Sequence, residues 1–293
     1  MTKVSVIIPT YQRALVLGEA LKSLTEQTYS DFEAIIVDDH SLDSGATLKV
    51  VNCFKDSRFK YCYLGCNKGP SGARNAALPF CKGEYISFLD SDDLFRPRKL
   101  EVQVSILDSD PDVAMVYSDE YLLYHDGSFS QHPIREGKKQ LMPSGYIARE
   151  FFQDSFIGTM TVTLRKSVIQ ELGGFDEKLI WNEDDDLWFR IMIRHKVKFS
   201  DYPAGIRRLH DNDNHNHNLG NMSKNRHKMV YYQFLTILKY FETEKDFMVQ
   251  NTDIVRERTK KIMKEYINDY CLRRLYIPYF KNIYSYLKIL NKR

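Results

Sequence analysis

Three aspartates crowd the end of one short stretch of this chain, Gly83 to Asp93, which reads GEYISFLDSDD. Tyr85 to Leu89 is an apolar, aromatic-rich run of strand length, opened by a glycine and closed by acids. Asp90, Asp92 and Asp93 therefore gather where a buried strand should emerge. Like charges so close repel, and they lose solvation together unless a cation or an exposed loop relieves them. Oxygen-only ligands favour a hard divalent ion, Mg or Mn, which keeps room for substrate phosphates. The competing account is a solvated acidic turn ahead of the helix that starts near Pro97.

A second acidic cluster sits in FDEKLIWNEDDDLWFRIMIR, where Glu183, Asp184, Asp185 and Asp186 fill the first turn of a helix continued by Leu187 and Ile191. A helix dipole favours each such acid by about 0.3–1 kcal/mol. Four in succession exceed what capping needs, so at least one is a functional candidate. Further on, IRRLHDNDNHNHN resembles a calcium loop only superficially, because Asn216 and Met222 stand where such a loop needs glycine and glutamate. His215 and His217 read as part of a polar loop. His210 follows Arg207, Arg208 and Leu209 at a strand end and is kept as a ligand or phosphate contact. The loop from Asp211 to Lys224 is polar and lacks apolar anchors, which predicts a mobile lid that orders when the site beside His210 is filled.

The elements that must position these groups alternate. Val4 to Ile8 is a β-branched run expected to be buried on both faces and ended by Pro9. Leu17, Ala20, Leu21 and Leu24 recur at helical spacing. Phe32 to Val37, Phe59 to Leu64 and Tyr85 to Leu89 are further strands, with helices from Gly45 and through ARNAALPF between them. Such alternation predicts an α/β fold with a doubly wound, mainly parallel sheet flanked by helices. Ligands bind beyond the carboxyl ends of such strands. Three of these ends carry Thr10 and Arg13, Asp38 and Asp39, and Asp90 and Asp92. No G-x-G-x-x-G follows the first strand, which argues against a dinucleotide and for a nucleotide held by carboxylates and metal. Beyond Pro97 the pattern predicts a helix through Leu107, strands at 113–117, 161–164 and 197–202, and a loop-rich insertion over 124–150.

The chain has 293 residues, 43% hydrophobic and 28% charged, with a formal net charge of +3. That is globular composition. From Asn251 onward 11 Lys and Arg face 4 Asp and Glu, a local +7 that leaves −4 for residues 1–250. Helical patterns at 229–241 and from Ile254 onward, broken near Pro278, make this a basic, tyrosine-rich extension. Ile262, Tyr266, Ile267 and Tyr270 form an apolar stripe opposite Arg258, Lys260, Lys261 and Lys264. The stripe suits docking on the body, or peripheral contact with an anionic membrane surface, whereas nothing accompanies the charge that would read nucleic acid. The five cysteines are odd in number and scattered, which predicts free thiols, and the N-terminus shows neither an h-region nor a cleavage site. The chain therefore reads as cytoplasmic, with docking of the extension on the body favoured over a peripheral position at the inner membrane face.

With these residues placed, VSVIIPTYQR, IIVDDHS, GARNAAL, GEYISFLDSDD, GGFDE and EDDDLWFR occur in the order and spacing of family 2 glycosyltransferases with the GT-A fold. The resemblance covers about Lys3 to His210. It implies a GT-A domain over 1–222, with a nucleotide-binding half to about 118 and an acceptor-binding half after it, and a C-terminal helical extension over 223–293. It implies nucleotide contacts from Pro9, Thr10, Tyr11, Arg13, Asp38, Asp39, Arg74, Asp90 and Ser91, with Asp39 facing uracil. Asp90-Ser91-Asp92 resembles the D-x-D motif, with Asp92 a direct ligand of Mn or Mg. Arg208 and His210 resemble the family's R-x-H, His210 as a metal ligand and Arg208 near the diphosphate or lid. Glu183 and Asp184 resemble the acceptor-side pair, Asp184 as general base. The implied reaction moves one sugar, with inversion, from a nucleotide-sugar, a UDP-sugar, to a glycan or lipid-linked acceptor. The Q-x-x-R-W motif of processive synthases is absent, which favours single transfer. Two other readings remain: a sugar nucleotidyltransferase, which would want a Gly- and Arg-rich loop after the first strand, and a non-catalytic nucleotide-sugar-binding subunit, which would lack the base.

Overall fold

In a computed structural model of the chain, the described residues are 2–43, 45–137, 142–210 and 226–268. The expected lid with His215 and His217, the fifth cysteine Cys271, the end of the apolar stripe at Tyr270 and the break at Pro278 lie outside them. The β-branched runs behave as continuous apolar runs should, forming strands covered on both faces. They are β1 (Val4–Thr10) and β2 (Phe32–Asp38), the latter buried throughout. With β3 (Phe59–Tyr63) and β4 (Tyr85–Phe88) they make a parallel half-sheet in the order β3-β2-β1-β4. The crossovers run through α1 (Ala14–Thr25), α2 (Ala46–Cys53) and α3 (Gly69–Ala77). Helix α1 turns Leu17, Ala20, Leu21 and Leu24 inward, the face its spacing predicts. Gly83 lets β4 start tight against β1, since a Cβ there would lie 2.4 Å from the Ser5 amide nitrogen.

Strand β1 runs through Pro9 instead of ending there. Ile7 accepts a bond from Leu89, so Ile7 and, two residues on, Pro9 face the β4 side. That strand has already stopped opposite Ile7, so the missing proline N–H breaks no ladder bond.

Beyond β4 the sheet becomes mixed. It continues through β7 (Thr163–Arg165), β6 (Val113–Leu123), β8 (Lys196–Arg208) and β5 (Leu94–Phe95), giving the full order β3-β2-β1-β4-β7-β6-β8-β5. Three of the seven pairings are antiparallel, β4–β7, β7–β6 and β8–β5, where alternation alone suggested parallel strands. Strands β4 and β7, and β5 and β8, are not consecutive in the chain, so no single strand–helix–strand crossover fixes their relative direction.

Helices α4 (Lys99–Ser109), α5 (Ala148–Gln153), α6 (Lys166–Glu171) and α7 (Glu183–Arg194) flank the sheet. The extension forms α8 (Arg226–Thr243), α9 (Lys245–Gln250) and α10 (Thr252–Asn268). It docks on the body: Val230, Phe234, Ile237, Tyr240, Ile254 and Val255 are buried in the same core as Phe152 and Trp188. Tyr240 and Phe189 rings lie 4.4 Å apart. Arg258, expected on the outer face, instead turns inward, where its guanidinium donates to the Phe152 carbonyl and to Ser155 at the end of α5. No helix among the described residues is long and apolar enough to cross a membrane. The four described cysteines are free thiols.

Candidate active site

The carboxyl ends of β1, β2 and β4 and the start of α7 open into one cleft of about 600 Å³. Pro9, Thr10, Tyr11 and Arg13 reach it from β1 and the turn after it, Asp39 from the end of β2, and Arg74 from α3. Asp90, Ser91 and Asp92 line it after β4, and Glu183 and Asp184 line the opposite side. The backbone is strained where these groups are presented: Gln12 after β1, His40 after β2 and Asn182 ahead of α7 all have positive φ, 52°, 69° and 64°. Non-glycine residues pay about 1–3 kcal/mol for such conformations, which persist where the surroundings over-determine them.

Asp38 is not brought to the cleft. Its carboxylate accepts bonds from the Tyr61 hydroxyl at 2.6 Å and the Ser41 amide at 2.8 Å, which fasten the end of β2. Asp39 does face the cleft, held by the Lys68 amide at 2.7 Å. Burial raises its pKa above the usual carboxylate value, against the Lys68 and Gly69 amides that favour the anion. Thr10 presents a buried hydroxyl that has no hydrogen-bond partner among the described residues.

Arg74 is a hub between the two sides rather than a free cation. It is 3% exposed, donates to Glu183 Oε1 at 2.8 Å and to Asp90 Oδ1 at 2.7 Å, and so ties α7 to the end of β4. Burial would lower its pKa, but the charges of Asp90 and Glu183 outweigh it and keep the guanidinium ionised. Burial pushes Glu183 up to about 7, with the Asp184 charge adding and Arg74 opposing. Asp184 is differently placed. One oxygen accepts from Thr159 at 2.6 Å and the other from the Asp185 amide at 2.8 Å, which aims the carboxylate along the cleft wall.

On the other side Asp92 Oδ2 meets both Arg13 and His210, the latter at 2.7 Å. Burial works against ionising Asp92, yet the His210 hydrogen bond and the Arg13 charge hold it below the usual value. Arg208 donates to the Asp92 carbonyl at 3.0 Å and to Glu19 at 2.6 Å, and its amide reaches Asp93. Asp93 is buried, and burial together with Asp92 and Asp90 raises it well above the ordinary range. It serves the end of β8 more than the cleft. No group of three or more His, Cys, Asp and Glu among the described residues surrounds one point. Asp92 and His210 nevertheless form a two-donor set of the kind that a hard divalent ion completes with phosphate oxygens and water.

Two of the four successive acids belong to the packing. Asp186, with no exposed surface, pairs with Arg190 at 2.9 Å and with Lys239 of α8 at 2.7 Å. Asp185 turns to a small cavity shared with Tyr240 and Arg258, and burial lifts it to about 7. The sequence reading missed Glu120, Asn67, Thr159 and Met229 as cleft residues, placed Trp181 at the sugar site only within the stretch 181–184, and named Arg207 only as a neighbour of His210. None belongs to a recognisable motif, and Met229 reaches the cleft from α8, far away in sequence.

The geometry can be set beside known proteins. A glycosyl transferase family 2 model matches residues 5–173. An uncharacterized glycosyltransferase of Rickettsia typhi is 32% identical over 71% of this chain, which spans 64% of that relative's length. The Escherichia coli protein WfgD, described as a UDP-Glc:alpha-D-GlcNAc-diphosphoundecaprenol beta-1,3-glucosyltransferase, is 30% identical over 64% of this chain and 69% of its own. The crystal structure of Staphylococcus aureus TarS 1–349 in complex with UDP-GlcNAc superposes with a TM-score of 0.63 at 20% identity, covering 86% of this chain and 72% of that one. The mixed sheet with its flanking helices is thus the GT-A fold. By the matched stretch, which carries both the strand-end carboxylates and more than half of the chain, this protein belongs to glycosyl transferase family 2.

Proposed function

We propose that the chain is an inverting glycosyltransferase that moves one sugar from a UDP-sugar to a hydroxyl of a glycan or lipid-linked acceptor, in the synthesis of a polysaccharide or glycoconjugate. One observation carries this reading. A single cleft has Arg13, Asp92 and the Asp92-bound His210 on one side and an aimed carboxylate, Asp184, on the other. The names of WfgD and of the TarS complex support a UDP-sugar as donor, and that of WfgD supports a diphospholipid-linked acceptor.

Asp39, buried and fixed by backbone amides, offers a carboxylate for the imide of uracil. Asp92 and His210 would hold Mn or Mg, and the Arg13 cation keeps Asp92 anionic for that task. Such an ion, when bound, supplies Lewis-acid neutralisation of the leaving diphosphate. Asp184 accepts the proton of the acceptor hydroxyl as that oxygen attacks the anomeric carbon from the opposite face, so the configuration inverts. Because a hydroxyl is a poor acid, proton transfer is concerted with attack, and the base needs no strongly raised pKa. Glu183 is occupied by Arg74 and sets the position of its neighbour.

Calorimetry of UDP binding tests this reading. Affinity should be higher with Mn or Mg than with EDTA, and Asp92→Asn should remove most of that difference. Asp39→Ala should weaken UDP in both conditions. Equal UDP affinity with and without metal would refute the metal role, and pyrophosphate exchange with a sugar phosphate would reveal a nucleotidyltransferase instead.

A further inference from the structure

Glu120 lies on β6 just after a register shift against β8, where the ladder resumes with Glu120 opposite Gly205. The residue is 7% exposed and lines the cleft. Oε1 meets Arg207 of β8 at 3.1 Å, while Oε2 is buried with no hydrogen-bond partner among the described residues. Arg207 also lines the cleft, and its Nε is likewise buried without a partner. A buried polar atom left unpaired is costly, and where it borders an open cleft it marks a place that a ligand can complete.

The space in front of Oε2 is kept open by Gly158, where a Cβ would sit 2.9 Å from that oxygen. Next in the chain is Thr159, which holds Asp184. Glu120 is also close enough to Asp90 and Asp119 for their charges to act on it. The carboxylate and guanidinium thus stand between the end of β4 and the support of Asp184. A carboxylate that accepts beside a guanidinium that donates is the polar pairing that vicinal sugar hydroxyls satisfy, since each hydroxyl donates one bond and accepts others.

We propose that Glu120 and Arg207 form a subsite that binds hydroxyl groups of the transferred sugar, and so help determine which UDP-sugar is used. This rests on the donor reading above. The transferred sugar must lie between the diphosphate groups at Asp92 and the base at Asp184, and Glu120 lies beside both sets. Burial raises the Glu120 carboxyl above its ordinary value, and bonding to hydroxyls is available to it in either protonation state.

The test compares UDP with a panel of UDP-hexoses and UDP-N-acetylhexosamines by calorimetry in the presence of Mn. In the wild type at least one UDP-sugar should bind more tightly than UDP. Glu120→Gln should leave UDP affinity within about twofold and weaken that UDP-sugar by about tenfold, close to the loss of one hydrogen bond to a charged group. Gly158→Ala, which keeps the charge and fills the space before it, should give the same split if Glu120→Gln does not fold. A UDP-sugar affinity unchanged in both variants, or a loss that falls equally on UDP, would overturn the subsite. Wild-type protein that binds UDP but no UDP-sugar more tightly would also overturn it. Wild-type protein that fails to bind UDP at all would instead overturn the donor reading, and the subsite with it.

Discussion

At the scale of single residues, the four acids that open α7 carry the same functional group in four different surroundings. Glu183 is held by Arg74, Asp184 by Thr159, Asp185 faces Arg258 and Tyr240, and Asp186 is closed between Arg190 and Lys239. Asp184→Asn keeps shape and the Thr159 contact but removes the base. Turnover should fall by about 10²–10⁴-fold with UDP affinity nearly unchanged, measured by product release and calorimetry. Near-normal turnover in Asp184→Asn beside an inactive Glu183→Gln would move the role to Glu183.

The raised acids also set a pH dependence of stability. Glu183 and Asp185 stand at about 7 in the folded chain, against 4.5 and 3.8 for the free side chains. Between these limits the folded state holds protons that the unfolded chain has released. Their contribution is therefore complete below about pH 4 and is lost as pH rises towards 7. Asp92 is shifted the other way, so its contribution is present above 3.8 and is lost as the solution becomes more acidic. Urea denaturation should show stability declining from pH 5 to 7, and Glu183→Gln should flatten that decline. An unchanged slope in Glu183→Gln would show that the residue does not hold its proton in the fold.

At the scale of elements, one cation of α8 pairs with two carboxylates of the body beneath it. Lys239 Nζ lies 2.7 Å from Asp186 and 2.8 Å from Asp176, so α8 closes two carboxylates at once. Lys239→Met should destabilise by about 3 kcal/mol, because Asp186 keeps only Arg190 and a buried charge loses a partner. Lys239→Arg should recover part of that loss. Equilibrium unfolding checks both. Loss of activity in Lys239→Met with stability intact would instead mean that α8 acts on the cleft, directly through Met229 or through Tyr232 stacked on Trp181.

At the scale of the whole molecule, the C-terminal helices continue the core. Ile254, Val255 and Ile262 of α10 are buried against the body, each worth about 1.5–3 kcal/mol, and Arg149 pairs with Asp253 across the same seam. A chain ended after Asn251 should lose most of its stability, seen as a Tm far below that of the full chain or as insoluble protein. A shortened chain that melts at the same temperature would make α10 a separable attachment. Truncation should also remove any salt-sensitive flotation with anionic liposomes, and absence of flotation in the intact chain would exclude a membrane role for the extension.

The parallel half of the sheet was legible in the residues themselves. Val4–Thr10 and Phe32–Asp38 are nearly pure apolar runs, and a strand buried on both faces leaves that mark locally. The cleft acids were legible for the same reason, since Asp39, Asp90 and Asp92 directly follow such runs and strand ends are where ligands bind in an α/β sheet. The mixed half was not, because the direction of β7 and β5 depends on which neighbour each short strand meets. Nor could sequence separate Asp38 from Asp39: adjacent residues on a strand point to opposite faces, and only packing shows that one side has Tyr61 waiting and the other the cleft. Arg74 as a hub, Lys239 as the partner of Asp186 and Glu120 beside Arg207 join residues 109, 53 and 87 positions apart in the chain. Charge pairing acts through distance in space, and it was the tertiary fold that brought those charges within 2.7–3.1 Å of each other.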